Sequence, residues 1–300
     1  MTPRTNTKRC GLDIGGTQIK AVVLNSSLSI LDEWVAPSNA NLGLEAVRES
    51  IFKMLQEIFH KGHQLDFIGI GCAGSVDSEK GIVRNSPNFA DWTQVNLKQW
   101  VEEKIKIPVK VDNDANCATL AEWTLGKGRG LSNLVLLTLG TGIGGGLIIQ
   151  KKLYRGSTGT GGELGHFSIN SNGIQCPCGN LGCFERYCSA SALKTKLPNL
   201  SCKEIFTQSE TDSECKKLVF EFLHHLKIGL ASLANVFDPD LILLGGAVSQ
   251  GLLPYIEEIR DAVKNRVFPA IAEHLKIEFT DFDNNSGAVG AALLNIEEQA

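Results

Sequence analysis

No apolar run in this chain approaches the roughly 18 residues of a membrane span, and the polar, basic start MTPRTNTKR leads into no apolar stretch of the kind that heads a secretory leader. A soluble, cytoplasmic protein with no membrane partner is expected. Cations are not in excess either. With 29 Lys and Arg against 33 Asp and Glu, the formal net charge is −4 and the isoelectric point near 5.9, which argues against a broad nucleic-acid surface. No disulfide framework is needed: 300 residues, 43% hydrophobic and 21% charged, can fill one or two cores. The nine cysteines, an odd number, suit a reducing compartment in which some thiols hold metal and the rest are buried.

Those cysteines are unevenly spread. From His166 to Glu185 the chain reads HFSINSNGIQCPCGNLGCFE, and Cys176, Cys178 and Cys183 fall on a Gly/Pro/Asn background that favours tight turns. Such turns bring several sulfurs onto one ion, and zinc suits three thiolates. Cys176 and Cys178 are separated only by Pro177, which disfavours a disulfide between them. A fourth ligand is required, and spacing leaves His166 and Cys188 both open.

Along the rest of the chain, strand and helix patterns alternate. Two strands around a Gly-Gly turn occupy residues 10–24, a third strand is expected near Leu31–Ala36, and an amphipathic helix from about Leu44 to His60. FIGIGCAG and IPVKVDND read as strands, ANCATLAEWTLG as a helix closed by Gly126, and LVLLTLGTGIGGGLII as strand, glycine turn, strand. Helical spacing runs from Ser213 to Phe237, and FDPDLILLGGAVSQ follows as turn, strand and Gly-Gly bend. The class is α/β with mixed sheets. An offset of 125 superimposes DIGGTQIKAVVL, from Asp13, on TLGTGIGGGLII, from Thr138, so similar hairpins open each half.

The chemistry-bearing residues cluster at these turns. Glycines between strands let backbone amides approach a polyphosphate, and Thr17 and Thr141 add hydroxyls. Asp13, just before the first turn, can hold a magnesium nucleotide directly or through water. In VKVDNDANCATLAEW the cluster DND falls where a strand ends and a helix starts, the edge at which α/β folds present active residues. Asp114 there is either a helix cap or a base that accepts the proton of a substrate hydroxyl attacking phosphorus, with Asn113 holding a neighbouring hydroxyl. GELGH adds Glu163 and His166, and Glu185 follows the last thiol of the knuckle by two residues; such donors and acceptors suit a neutral polyol. A zinc ion on one nitrogen of His166 would leave the other oriented toward a hydroxyl, so the metal would be structural while shaping the pocket.

GLDIGGTQIK, GCAGSVD with NSPNFADW, DNDANCATLAEW, LGTGIGGG, GELGH, CPCGNLGCFE and DPDLILLGGAVS, in this order, resemble the ROK family of repressors, open reading frames and sugar kinases across nearly the whole chain. The resemblance implies an α/β, actin-like ATPase (ribonuclease H-like) fold with two α/β domains around a cleft. Residues 1–116, with a C-terminal helix at about 286–300, would form the first domain, and residues 117–285, with the zinc knuckle, the second. It implies structural zinc on His166, Cys176, Cys178 and Cys183, and Asp114 as catalytic base. Gly74, Asn113, Asp114, Glu163, His166 and Glu185 would bind sugar. Asp13, Gly15, Gly16 and Thr17 form the first phosphate motif, Thr141 and Gly142 the second, and Gly245 and Gly246 the adenosine side.

The expected activity is therefore that of a cytoplasmic hexose kinase of carbohydrate metabolism, using ATP and magnesium to phosphorylate a 6-hydroxyl. Ala73 replaces a proline common in relatives, and Phe89, Ala90, Asp91 and Trp92 replace a Leu-Pro-Gly-Trp run, which bears on the identity of the sugar. Glucose is the first expectation; N-acetylglucosamine, N-acetylmannosamine, mannose and fructose are the alternatives. A noncatalytic sugar-sensing regulator is a further alternative. A DNA-binding repressor is not expected, since nine residues precede Cys10 where such regulators carry a helix-turn-helix. A homodimer is the family's expectation.

Overall fold

In the computed structural model of the chain, which describes residues 7–86, 89, 92–282 and 285–296, two five-stranded sheets share one strand order. Each belongs to its own compact unit. The first unit comprises Met1–Gly126, Arg155–Gly161 and Asn284–Ala300; the second comprises Lys127–Tyr154 and Gly162–Asp283. The boundary expected between residues 116 and 117 falls inside a helix that stays whole with the first unit.

In the first unit, strands β1 (Arg9–Ile14), β2 (Gln18–Leu24) and β3 (Ile30–Pro37) form an antiparallel meander. Helix α1 (Leu44–His60) follows, with Val47, Ile51, Met54, Leu55 and Ile58 buried on one face. Its length lets the chain cross to β4 (Phe67–Cys72), which pairs parallel with β1 and is buried at all six positions, as a strand covered on both faces must be. A small antiparallel sheet of β5 (Ser75–Asp77), β6 (Ile82–Asn85) and β7 (Thr93–Asn96) comes next. Then helix α2 (Leu97–Ile105) leads to β8 (Val109–Asn113), parallel to β4, and helix α3 (Asp114–Thr124) follows at once. The order is β3-β2-β1-β4-β8.

In the second unit, β9 (Leu134–Leu139), β10 (Ile143–Ile149) and β11 (Lys152–Leu153) form the meander. The long connection carries α4 (Glu185–Cys188), α5 (Ala190–Lys196), α6 (Cys202–Gln208) and α7 (Ser213–Phe237). Strand β12 (Leu241–Gly245) then joins β9 in parallel. Helices α8 (Ile256–Lys264) and α9 (Pro269–His274) precede the edge strand β13 (Lys276–Phe279). The order β11-β10-β9-β12-β13 again reads third, second, first, fourth, fifth. Helix α10 (Ser286–Leu293) returns to the first unit, its small side chains packed on β1 and β4. A β-carbon on Gly11 would strike the Ala288 carbonyl, and one on Gly69 the Ala291 carbonyl.

The internal repeat is real, with one correction. The offset of 125 carries β1 onto β9, but pairing and burial put β10 one residue closer. Ile14 faces Ile19 across the first turn and Leu139 faces Ile143 across the second, and Ile19–Leu24 and Ile143–Ile148 share one burial sequence. The second turn is one residue shorter. A one-residue slip inverts a strand's faces, so the core, rather than the letter match, decides the register.

Candidate active site

The β8–α3 junction places Asn113 and Asp114. Asn113 is the helix cap: its Oδ1 accepts from the amides of Ala115 (2.9 Å) and Asn116 (3.2 Å). Asp114 is thereby released from the capping role. Its own Oδ1 accepts from Ala115 N at 2.9 Å, and burial raises its pKa against the pull of that amide and of Asn113. The Asn113 amide group turns the other way and donates to Gly74 O at 3.1 Å. Gly74 must be glycine, because its φ is 113° and a β-carbon would strike Asn85 O. Gly74, Asn113 and Asp114, the expected sugar-loop glycine, sugar-binding asparagine and base, are thus adjacent in one unit.

Asp13 sits on β1 beside them. Burial, then the charge of Asp114, push its pKa up to about 7, with Lys20 opposing. The following turn is closed by Gly15 N donating to Gln18 O (2.9 Å), and Thr17 O accepts from Ser38 N (3.0 Å). Thr17 is exposed. Two contributors escaped the sequence reading. Gly287, in the first turn of α10, leaves room for the Asp13 carboxyl, and Arg155 pairs with buried Asp112 at 2.6 Å. Neither carries a local signal, since each is far along the chain from its partner. Ala90 and Asp91 lie outside the described residues; Phe89 and Trp92 are buried and stack at 4.2 Å between ring centroids.

The second unit holds the remaining candidates. In the β9–β10 turn, Gly140 N donates to Gly142 O at 3.0 Å and Thr141 is exposed. Gly245 and Gly246 close on the same strand end: Gly246 has φ 84°, a β-carbon there would lie 2.5 Å from Leu139 O, and Val248 N donates to Leu139 O at 3.0 Å. Glu185 reaches this turn as well, its Oε2 accepting from Ile143 N at 3.4 Å. It is held by its neighbour Phe184, which is fully buried and fits where Gly229 of α7 has no side chain. Glu163 is exposed, its carbonyl accepting from His166 N at 3.0 Å.

Donor atoms of His166, Cys176, Cys178 and Cys183 all lie within 4.8 Å of one another. Cys178 Sγ and Cys183 Sγ are 3.6 Å apart, and His166 Nδ1 and Cys176 Sγ 3.7 Å. Metal–sulfur bonds of about 2.3 Å and metal–nitrogen bonds of about 2.0 Å in a tetrahedron give donor spacings of roughly 3.5–3.8 Å, so the residues fit zinc. Cys188 is not part of the cluster: its thiol is buried against Phe222 O at 3.5 Å. Burial pushes Cys183 up to about 12, a thiol that ionises readily only beside a cation. Since Nδ1 faces the sulfurs, Nε2 of His166 is the nitrogen turned away from them. Glu185 Oε1 lies 3.8 Å from that Nδ1, so one carboxylate touches both the cysteine knuckle and the glycine turn.

None of the helices among the described residues is long and apolar enough to cross a membrane. A glucokinase of Halalkalibacterium halodurans is 30% identical over 309 residues, covering 95% of this chain and 93% of its own. A xylose repressor of Caldicellulosiruptor bescii is 29% identical, with 96% of this chain and 78% of the repressor covered. The crystal structure of a ROK family glucokinase from Streptomyces griseus in complex with glucose and AMPPNP superposes with a TM-score of 0.83 at 31% identity, covering 98% of this chain and all of that one. The ROK family pattern itself is matched over residues 9–298. With that match, and with its repeated sheets and its glycine turns, the chain belongs to the ROK family and has the α/β actin-like ATPase, or ribonuclease H-like, fold.

Proposed function

We propose that the chain is an ATP-dependent sugar kinase that phosphorylates the 6-hydroxyl of a hexose, glucose first, giving the sugar 6-phosphate and ADP. The observation that carries this reading is Asp114, an uncapping carboxyl with a raised pKa beside Asn113 and Gly74. A general base is most effective when its pKa approaches the working pH. In this reading Asp114 takes the proton of the hydroxyl as that oxygen bonds to the γ-phosphorus. The bond from phosphorus to the bridging oxygen breaks, and ADP leaves. Asn113, Glu163, His166 and Glu185 hold sugar hydroxyls, while the Gly15–Thr17 and Thr141–Gly142 turns and Gly245–Gly246 hold the nucleotide.

Asp13 is the residue that would hold magnesium, which offsets charge on the β- and γ-phosphates when bound. His166, Cys176, Cys178 and Cys183 would hold a structural zinc that rigidifies the loop carrying His166 and Glu185. The repressor relatives favour a noncatalytic regulator instead, but the retained Asp13, Asn113 and Asp114 support catalysis. A homodimer is carried as part of the proposal, and sedimentation tests it.

The experiment is ADP release with magnesium ATP against glucose, mannose, fructose, N-acetylglucosamine and N-acetylmannosamine, with a blank lacking sugar. Turnover on one sugar well above the blank is expected. No turnover on any of them by folded, zinc-loaded protein would reject the kinase and favour a regulator.

A further inference from the structure

Behind the proposed base lies a buried polar cluster that the reaction as drawn does not use. Asp112, the penultimate residue of β8, is only 2% exposed at its side chain. Its Oδ1 accepts from Asn113 N (2.7 Å) and from Asn116 Nδ2 (2.9 Å), and its Oδ2 accepts from Arg155 Nε (2.6 Å). Asn116 is turned toward this carboxylate although its own Oδ1 is buried with no partner among the described residues. Arg155 arrives from a separate stretch of chain, Arg155–Gly161, that joins the first unit. That stretch is anchored again at Thr158, whose carbonyl accepts from Arg84, itself paired with Asp77 at 2.9 Å.

The pins converge on one place. Asn113 N, held by Asp112, belongs to the residue that caps α3 and reaches Gly74; Asp114 is next in the chain. We propose that Arg155 is a positioning residue for the base: by pairing with buried Asp112 it fixes the β8–α3 junction and keeps a second uncompensated negative charge away from Asp114. The proposal rests on Asp114 acting as the base of the kinase reading above.

Charge is the reason an arginine is needed. Asp13 on β1 already feels Asp114, an effect that Lys20 on β2 partly offsets, and the thiol of Cys117 on α3 feels Asp112, Asp13 and Asp114 together, with Arg155 opposing, while that of Cys72 on β4 feels Asp114 and Asp13. The first turn of α10 contributes Gly287 and no charge. With Arg155 removed, Asp112 becomes a buried carboxylate two residues from Asp114 with no cation paired to it among the described residues. An uncompensated like charge near a buried carboxyl disfavours its ionisation and raises its pKa.

The test compares wild type, Arg155→Met, Arg155→Lys and the double variant Arg155→Met with Asp112→Asn. The readouts are the pH profile of kcat on the accepted hexose and the titration of the Asp114 carboxyl by carbon-13 NMR, assigned through Asp114→Asn. Arg155→Met is expected to move the acid limb up by about one unit and to lower kcat below that limb by up to about tenfold, with little change in KM for ATP. Asp112→Asn in that background should bring the limb back, and Arg155→Lys should fall between. An unmoved Asp114 titration, or a loss of kcat that Asp112→Asn does not relieve, overturns the positioning role and leaves a structural one. If Arg155→Met does not fold, the lysine and double variants decide by the same two readouts. If wild type phosphorylates no hexose, the kinase reading alone fails, and the Asp114 titration still decides the influence of Arg155.

Discussion

Gly287 and Asp13 are in contact across the first turn of α10: a β-carbon on Gly287 would lie 2.7 Å from Asp13 Cγ and 2.7 Å from its Oδ2. Real β-carbons do not approach that closely, and the Asp13 side chain is too short to swing clear without leaving its place. Gly287→Ala is therefore expected to fold, with a stability loss of about 1–3 kcal/mol from overpacking, while the displaced carboxyl costs at least about tenfold in kcat/KM for magnesium ATP. Steady-state kinetics and a denaturant melt on the same preparation separate the two effects. Unchanged kinetics would remove Asp13 from the nucleotide site.

The two raised carboxyls predict opposite changes in activity and stability. Asp114→Asn should lower kcat by about 10²–10⁴ while sugar binding, measured by calorimetry, persists. For stability the sign follows from Asp13. Its folded pKa of about 7 exceeds the unfolded value near 3.8, so between these pH values the unfolded chain has lost a proton that the folded chain keeps. The associated stability is fully present below about pH 4 and lost as pH rises through 7. The loss is about 4 kcal/mol as an upper bound. Asp13→Asn should therefore be more stable than wild type at pH 8 and nearly equal to it at pH 4, in urea melts at both values.

Elements with a strong period or a chemical stop are legible in the sequence. Helices α1 and α7 begin and end where the spacing of their apolar residues places them, at Leu44–His60 and Ser213–Phe237. The latter runs from a cap in which Asp212 accepts from Cys215 N to the turn before β12. The small sheet β5–β7 was not read, because strands of three or four residues with mixed burial carry too few alternations. Asp114 was open between cap and base because both use a carboxylate at a helix start, and only the hydrogen bonds of Asn113 separate the two roles. His166 and Cys188 were similarly equivalent in spacing, and burial of Cys188 against α7 divides them. Gly287 and Arg155 were illegible for another reason: their partners, Asp13 and Asp112, are distant in sequence and become neighbours only through the fold.

The cysteine knuckle predicts one zinc per chain. Cys176→Ser, Cys178→Ser or Cys183→Ser should each reduce zinc below stoichiometry by elemental analysis and lower the melting temperature, because the loop from His166 to Cys183 is tied by few regular pairs. Its bridges are Ser168 with Cys183 and Gln175 with Leu181. Cys188→Ser should keep the metal, although placing a hydroxyl at a buried site carries a modest stability cost. Zinc retained by His166→Ala and lost by Cys188→Ser would overturn the assignment of His166 as the fourth ligand.

Glu185 offers the sharpest separation of geometry from charge. Its Oε2 lies against the β9–β10 turn, where a β-carbon on Gly142 would come within 2.6 Å of it, and its Oε1 lies 3.7 Å from Cys176 Sγ. Gly142→Ala must push the carboxylate out of the turn, disturbing the proposed phosphate and sugar contacts together. Glu185→Gln keeps the shape and removes the charge, leaving the turn in place. The alanine variant is therefore expected to lower kcat/KM for ATP and for hexose alike, by about tenfold or more. The glutamine variant should raise the KM for hexose about tenfold, the cost of one weakened charged hydrogen bond, with the KM for ATP little changed and zinc retained. Equal effects of Glu185→Gln on both substrates would place the carboxylate on the nucleotide side, and a silent Gly142→Ala would show that the contact between turn and carboxylate has no part in catalysis.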